Sequence, residues 1–502
     1  MQLTDWLKKT SLGTLIQLNN TARPTMKKLC IKSCVILLLS SFFCLAGMQR
    51  PNFIIIVVDD LSPEHFSCYD SSAARSPNID QLAATGVQFQ TAWATPMCSS
   101  SRALLTTGRY PFRTGVWHND LRINENRQDR YNWTTRHLTF AQALRNNGYR
   151  TVLVGNNMAL GGRVDQSVGF DEHCHRADQP SAIPAGAEFK GLYEGKYNFP
   201  GAKPIPSRYW HPCVIQNGAL LETGPADFGP DIFTDYLINF MHRNHEQPFL
   251  AYYPLNLVHD IAGGGLPTMP FNGRPGTNKG GSVADMLVYI DNTVGEILEA
   301  LEDLSLRENT LVIFTSDNGS SHGMKMHANE NGARVPLLVS APGLVTERGV
   351  TTEMVEHSDI FPTLMEFSNS ILPDGYALDG KSLKPFLTGK SDQHREWILS
   401  YIATARMART RDWILEAVDP VYGDARGRLY KTHGSHKRTD YTLVDSLSTI
   451  EARAAHEYLM AVLDYNPWPD LSEPKVEAEI RSYDRMPYKH YLDTGELVEH
   501  IY

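Results

Sequence analysis

The sequence predicts an α/β protein: a large, mostly parallel β-sheet sandwiched by helices, followed by a smaller C-terminal α+β domain. Three observations carry that expectation. The run Phe53-Ile-Ile-Ile-Val-Val58 is six apolar, mostly β-branched residues, the composition of a strand buried on both faces, as parallel strands are. Downstream, strand-like and helix-like stretches alternate, the order expected of βαβ units. After about Ser391 the alternation is replaced by short apolar runs and one helix. A chain of 502 residues suits one large domain and a smaller one. The expected organisation is an N-terminal extension and signal segment over 1–48, a large α/β domain over 49–390 and a smaller α+β domain over 391–502.

The elements follow in order. The strand at 53–58 runs into Asp59-Asp60. Ser76-Pro77 opens a helix that Gly86 stops, with a cap-type residue, proline in the first turn and glycine after the last. Residues 101–107 suit a helix ended by Gly108, and 138–147 a helix closed by Gly148. Strands are expected at 149–154, 249–255, 310–315 and 335–340, and helices at 231–245 and 283–304. The Gly-, Pro- and Asn-rich stretch 261–281 reads as a surface loop. In the smaller domain, 397–402, 413–418 and 441–444 read as strands and 451–462 as a helix.

Composition narrows the function class. Apolar residues make up 42% and charged residues 21%, as in an ordinary globular protein. The formal net charge of −9 argues against a nucleic-acid partner. Near the N-terminus, Lys27, Lys28 and Lys32 precede the apolar run 35–39, with small residues at Ala46-Gly47. That order reads as a secretory signal beginning at Met26, with residues 1–25 as an extension, and implies a periplasmic or secreted protein. The apolar run is too short for a comfortable bilayer span, so no stable membrane span is expected after signal removal. Three of the seven cysteines fall in the signal. The other four (Cys68, Cys98, Cys174 and Cys213) have no metal-like spacing, and a Cys174–Cys213 bridge is only one option in an oxidising compartment.

Two predicted strands end in acids and an amide: Asp59-Asp60 and Asp317-Asn318. Each pair alone could be turn or cap chemistry. Both together, at the carboxyl ends of strands where parallel sheets bind ligands, favour a site. Adjacent buried carboxylates repel unless compensated, and an all-oxygen set suits Ca²⁺ or Mg²⁺ better than zinc. The second feature is Pro96-Met-Cys98-Ser-Ser-Ser-Arg102-Ala. A helix beginning there would place Cys98 at a positive helix end, where anions are favoured and thiol pKa falls. An isolated cysteine is otherwise more often a small buried apolar group.

These motifs resemble the sulfatase family of the alkaline-phosphatase-like superfamily. The family signature C-x-P-S-R-A, then L-x-T-G-R, is matched by Cys98-Ser-Ser-Ser-Arg-Ala and Leu105-Thr-Thr-Gly-Arg109. Pro77-Asn-Ile-Asp80, Phe314-Thr-Ser-Asp-Asn-Gly319, Arg334-Val-Pro-Leu-Leu338, His357-Ser-Asp359 and Asp379-Gly-Lys-Ser-Leu383 extend the resemblance in the family's order. The resemblance implies a sulfuric ester hydrolase. It assigns Asp59, Asp60, Asp317 and Asn318, together with the group at Cys98, to one Ca²⁺. Cys98 would be converted to formylglycine (3-oxoalanine) by a formylglycine-generating enzyme. Arg102 would orient that group, Lys325 would bind sulfate, and His259 would act as general acid on a sulfated small molecule or glycan.

Two departures stand out. Ser100 occupies the position of the signature proline. The stretch Gly155-Asn-Asn-Met-Ala-Leu-Gly161 replaces the family's G-K-W-H-L-G, so its lysine and histidine have no equivalents; Asn156 is the positional match to the lysine. Arg163 and His118 are candidate replacements, and His322 and His327 flank the Lys325 loop. A phosphate or phosphonate ester hydrolase of the same superfamily and a catalytically inactive binding protein remain alternatives. Specificity would lie in loops 117–133, 161–210 and 261–281, where Trp133, Tyr209 and Trp210 could stack on a sugar.

Overall fold

The computed structural model describes residues 50–116, 136–156, 168–177, 182–195, 204–261, 264–271, 275–320, 324–402, 404–419 and 424–466. The export signal, loop 117–133, His118, Trp133, Arg163 and His322 lie outside them.

The main sheet has ten strands: β1 (Asn52–Val58), β2 (Val87–Trp93), β3 (Arg150–Gly155), β4 (Glu172–Arg176), β5 (Val214–Gln216), β6 (Ala219–Leu220), β7 (Phe249–Pro254), β8 (Thr310–Ser316), β9 (Leu337–Ser340) and β10 (Gly349–Glu356). Their spatial order is β10-β2-β9-β8-β1-β7-β3-β4-β5-β6. The centre, β8-β1-β7-β3-β4, is parallel, as expected. β9 runs antiparallel between β8 and β2, and β5 and β6 close the far edge antiparallel.

β1 shows why the sheet is a middle layer. Phe53, Ile55 and Val57 join one apolar cluster, and Ile54, Ile56 and Val58 join another. Alternate side chains of a strand point to opposite faces, so an unbroken apolar run needs cover on both. The first face is covered by α3 (Phe140–Asn146) and α6 (Ile360–Ser368), the second by α1 (Pro77–Ala84), α4 (Gly229–Asn244) and α5 (Val283–Asp303). Between β2 and α3 lies α2 (Cys98–Thr107), all ten of whose residues are buried.

The C-terminal part forms a second sheet, β11 (Ile398–Ile402) to β15 (Thr442–Leu443), antiparallel throughout, with β12 (Ala405–Arg409), β13 (Trp413–Val418) and β14 (Arg428–Lys431) between. Helix α7 (Ile450–Tyr465) packs Leu459 and Leu463 against Leu399 and Leu415 of that sheet. Both sheets belong to one compact unit.

Several elements differ from expectation. β2 and β4 escape the pattern because they mix polar and apolar residues, yet Gln88 and Thr91 of β2 and His173, His175 and Arg176 of β4 are buried in the sheet. The strand expected at 335–340 begins at Leu337, and that expected at 441–444 shrinks to two residues. Ser76 does not cap α1 with its side chain. Asp291 of α5 does so instead, accepting from the backbone N–H of Asn78 and Ile79 at 3.0 and 2.9 Å and from the Asn78 amide at 3.0 Å. Cys174 and Cys213 are free thiols in separate apolar clusters. Among the described residues no helix is long and apolar enough to cross a membrane.

Candidate active site

The tips of β7, β1 and β8 lie side by side, and the backbone locks them together. Asp59 N–H donates to Leu257 O (2.7 Å), Val258 N–H to Asp59 O (2.9 Å) and Asp317 N–H to Val58 O (3.1 Å). Asp60 adopts a left-handed backbone (φ 62°), a conformation tolerated by Asp and concentrated at functional sites. Its N–H donates to Asp317 Oδ1 at 3.2 Å. Opposite these tips, α2 begins with Cys98, whose Sγ lies 3.9 Å from Asp59 Oδ1 and from Asp60 Oδ1. One ligand atom from each of Asp59, Asp60, Cys98 and Asp317 lies within 4.8 Å of all the others, and all four residues are buried.

Helix α2 also brings Arg102, one turn along. Its Nη2 donates to Asp59 Oδ2 (3.0 Å) and Asp317 Oδ2 (2.7 Å), and its Nε to Asp317 Oδ2 (3.0 Å). Gly108 ends the helix in the left-handed conformation (φ 62°), and its carbonyl accepts from Asp379 N–H at 2.9 Å. That contact explains why the Leu105–Arg109 and Asp379–Leu383 motifs occur together: one is docked on the other. Ser100, in place of proline, is absorbed by the first turn. Its hydroxyl donates to Met97 O (3.1 Å) and bonds Thr95 Oγ1 (2.5 Å).

The loop after β8 supplies Lys325, whose Nζ lies 2.6 Å from Asp60 Oδ1, and Asn318, whose Nδ2 donates to the same oxygen at 2.6 Å. His259 presents Nε2 4.0 Å from Asp60 Oδ2 and turns Nδ1 towards Asp260, 2.9 Å from its carbonyl and 3.2 Å from its carboxylate. All eight sequence-chosen residues (Asp59, Asp60, Cys98, Arg102, His259, Asp317, Asn318 and Lys325) thus converge on one place.

Electrostatics explain the arrangement. Burial, then the field of Asp59, pushes the Asp317 carboxyl up to about 7. Asp60 is also buried, but Lys325 and His259 outweigh that penalty and hold it below its ordinary value. Burial favours neutral imidazole at His259, yet its bond to Asp260 and the charges of Asp59 and Asp60 raise it to about 9. Burial, then Asp317, drives the Cys98 thiol well above its usual range, so an unmodified thiolate is disfavoured there.

The donor set suits a hard divalent cation. Three carboxylates crowd one point, and the buried Asn318 Oδ1 has no hydrogen-bond partner. A buried amide oxygen without a partner costs stability and points to a missing cation or water. Four oxygen ligands match Ca²⁺ or Mg²⁺ preference.

On the other side, β3 ends at Gly155, whose positive φ (94°) leaves no room for a side chain: a Cβ would lie 2.3 Å from Pro254 O. The next residue, Asn156, donates from Nδ2 to Asp59 Oδ2 at 3.2 Å. Behind it, buried Arg176 at the end of β4 donates from Nε to Asn156 Oδ1 at 3.1 Å. Sequence reasoning missed Arg176. The only signal was the polar run Glu172-His-Cys-His-Arg176 in a strand position that should be apolar. Tyr209 and Trp210, expected as possible sugar platforms, are buried instead. Tyr209 stacks on Phe228 and donates to Asn256 O and His259 O, while Trp210 Nε1 donates to Thr268 O. His327 is buried and, by that burial, held down to about 4.

Comparison with known proteins agrees with this geometry. The family model described as Sulfatase matches residues 51–370. Arylsulfatase A of Bos taurus is 31% identical over 379 residues, covering 70% of each chain. The N-acetylgalactosamine-6-O-sulfatase of Bacteroides thetaiotaomicron is 29% identical over 423 residues, covering 70% of this chain and 79% of that one. The crystal structure of Ps i-CgsB in complex with k-i-k-neocarrahexaose superposes with a TM-score of 0.66 at 23% identity, over 88% of this chain and all of that one. With its fold, its strand-tip acids and its Cys98–Arg102 helix in one frame, the chain belongs to the sulfatase family.

Proposed function

We propose that the protein is an exported, calcium-dependent sulfatase that cleaves a sulfate ester, on a carbohydrate, with a formylglycine derived from Cys98. The observation that carries this reading is the convergence of the Asp59, Asp60 and Asp317 carboxylates on Cys98 Sγ at the start of α2. Asp59, Asp60, Asp317 and Asn318, with the residue 98 group, would hold the calcium, which neutralises sulfate oxygens. Formylglycine would supply, as its hydrate, one hydroxyl as nucleophile towards sulfur and a second to release sulfate.

The chain's own residues do the rest. Arg102, held between Asp59 and Asp317, cannot rotate away and orients the residue 98 group. Lys325, near enough to Asp60 for a direct ion pair, carries a positive charge to the sulfate oxygens. His259, with Nδ1 held by Asp260 and Nε2 facing the site, is placed to give a proton to the leaving alcohol. A carbohydrate substrate is supported by relatives named N-acetylgalactosamine-6-sulfatase and N-acetylgalactosamine-6-O-sulfatase. Maturation would require a formylglycine-generating enzyme that accepts Ser100. We assign the catalytic domain to 49–390 and the smaller domain to 391–502, with export directed by the segment from Met26 to Gly47.

The test is hydrolysis of an aryl sulfate and an aryl phosphate by protein from its native host, with mass spectrometry of the Cys98 peptide. Sulfate turnover that chelation abolishes, with residue 98 as the aldehyde, is the expected result. An intact thiol with phosphate turnover, or no turnover of either, overturns the proposal.

A further inference from the structure

On the Lys325 and Arg102 sides of the site, a cation touches an acid directly. On the β3 side the position nearest Asp59 is taken by the short, neutral Asn156. β3 and β4 are parallel neighbours with Gly155 opposite His175, so Asn156 and Arg176 emerge side by side, one step beyond the last pair. Arg176 is 3% exposed. Its guanidinium can only donate, so the Asn156 carbonyl oxygen must face it and the Asn156 NH₂ must face Asp59. The contacts agree: Arg176 Nε to Asn156 Oδ1 at 3.1 Å, then Asn156 Nδ2 to Asp59 Oδ2 at 3.2 Å.

We propose that Arg176 is a positioning residue for the sulfate pocket, acting through Asn156. It fixes the amide so that Asp59 keeps Oδ2 engaged by donors and Oδ1 turned towards Cys98 Sγ, 3.9 Å away. Without it the amide loses the donor that faces its oxygen, and an oxygen turned to Asp59 would set carbonyl against carboxylate. The inference rests on the sulfatase reading, because it names the anion as a sulfate.

The experiment measures inorganic sulfate binding to the calcium-loaded protein, by calorimetry and by inhibition of aryl sulfate hydrolysis. Arg176→Met should weaken sulfate about tenfold, the loss expected when a charge-assisted hydrogen bond that orients the site is removed. Arg176→Lys should recover part of it. Asn156→Leu should lose as much, and the Arg176→Met/Asn156→Leu pair no more than Asn156→Leu alone, because the two act in series. Grafting a cation in place of the amide, Asn156→Lys on the Arg176→Met background, should restore affinity to within about threefold; a merely structural arginine would not be rescued so. If Arg176→Met does not fold, Asn156→Leu decides, since it leaves the arginine in place and must show the same loss. Parental sulfate affinity in a folded Arg176→Met or in Asn156→Leu, or additive losses, overturns the inference while leaving the sulfatase reading intact. A parent that neither binds sulfate nor cleaves aryl sulfate sinks both.

Discussion

Asp317 has two partners to satisfy: it anchors Arg102 through Oδ2 and receives the Asp60 N–H through Oδ1. Asp317→Asn removes a carboxylate from the cation set and half of the Arg102 clamp, and kcat/KM should fall by about 10³ or more, checked by steady-state kinetics with calcium in excess. In the proposed mechanism His259 acts on the leaving group, so the loss in His259→Gln should depend on that group. A sugar sulfate should slow by about 10²–10³, and a nitrophenyl sulfate, whose phenolate leaves unaided, far less. Equal losses for both would remove His259 from the proton-donor role. At this scale the sequence is highly legible, because the acids, Cys98 and Arg102 sit in short contiguous motifs. Asn156 and Arg176, 20 positions apart, form no such motif.

Helix ends and strand ends decide where those side chains point. Asp291 caps α1 from α5 and accepts three hydrogen bonds, so Asp291→Ala should cost about 2 kcal/mol, read from urea unfolding. Local sequence suggested Ser76 for that task, and only the packing of α5 on α1 supplies the better acceptor. Gly155 is the strand-end counterpart. A methyl group there meets the Pro254 carbonyl and sits on an unfavourable φ, so Gly155→Ala should cost about 2–4 kcal/mol and displace Asn156. Unfolding midpoint and sulfate affinity should drop together. The strand runs at 53–58, 249–255 and 310–315 were readable because both faces are apolar. β4 was not, since His173, His175 and Arg176 make it polar although they are buried, and only Arg176 reaches the site, through Asn156.

Across the whole molecule, the two sheets are tied by buried charge. Asp359, at the start of α6, accepts from Arg395 Nε at 2.8 Å, from Lys381 N–H at 2.7 Å and lies 3.0 Å from His394 Nε2. Burial alone would raise its carboxyl; Arg395 and His394 overcome this and hold it well below the ordinary range. Its contribution to stability is complete above the unfolded aspartate pKa, about 4, and fades as the pH falls from there towards the lower folded value. Asp359→Asn should cost about 3–5 kcal/mol near neutrality by leaving Arg395 buried with a weakened partner set. The gap between parent and variant should narrow below pH 4 in acid unfolding; a gap independent of pH would contradict the ion-pair account. The proposed calcium belongs to this scale too. At a hundredfold excess over its Kd it should stabilise the protein by about 2.7 kcal/mol, and chelation should lower the thermal midpoint reversibly.

The fold class, the central strands and the strand-tip acids were accessible from the chain alone, because each is written locally: apolar runs that only a covered sheet can bury, and acids placed directly at the ends of those runs; Lys325 and His259 entered only through the resemblance to the sulfatase family. Three-dimensional packing alone settled which strand lies beside which, that the outer strands turn antiparallel, that Tyr209 and Trp210 are core, and that Arg176 reaches Asn156 from a neighbouring strand. Those are contacts between distant segments, set by sheet order and side-chain reach, and no local pattern of residues encodes them.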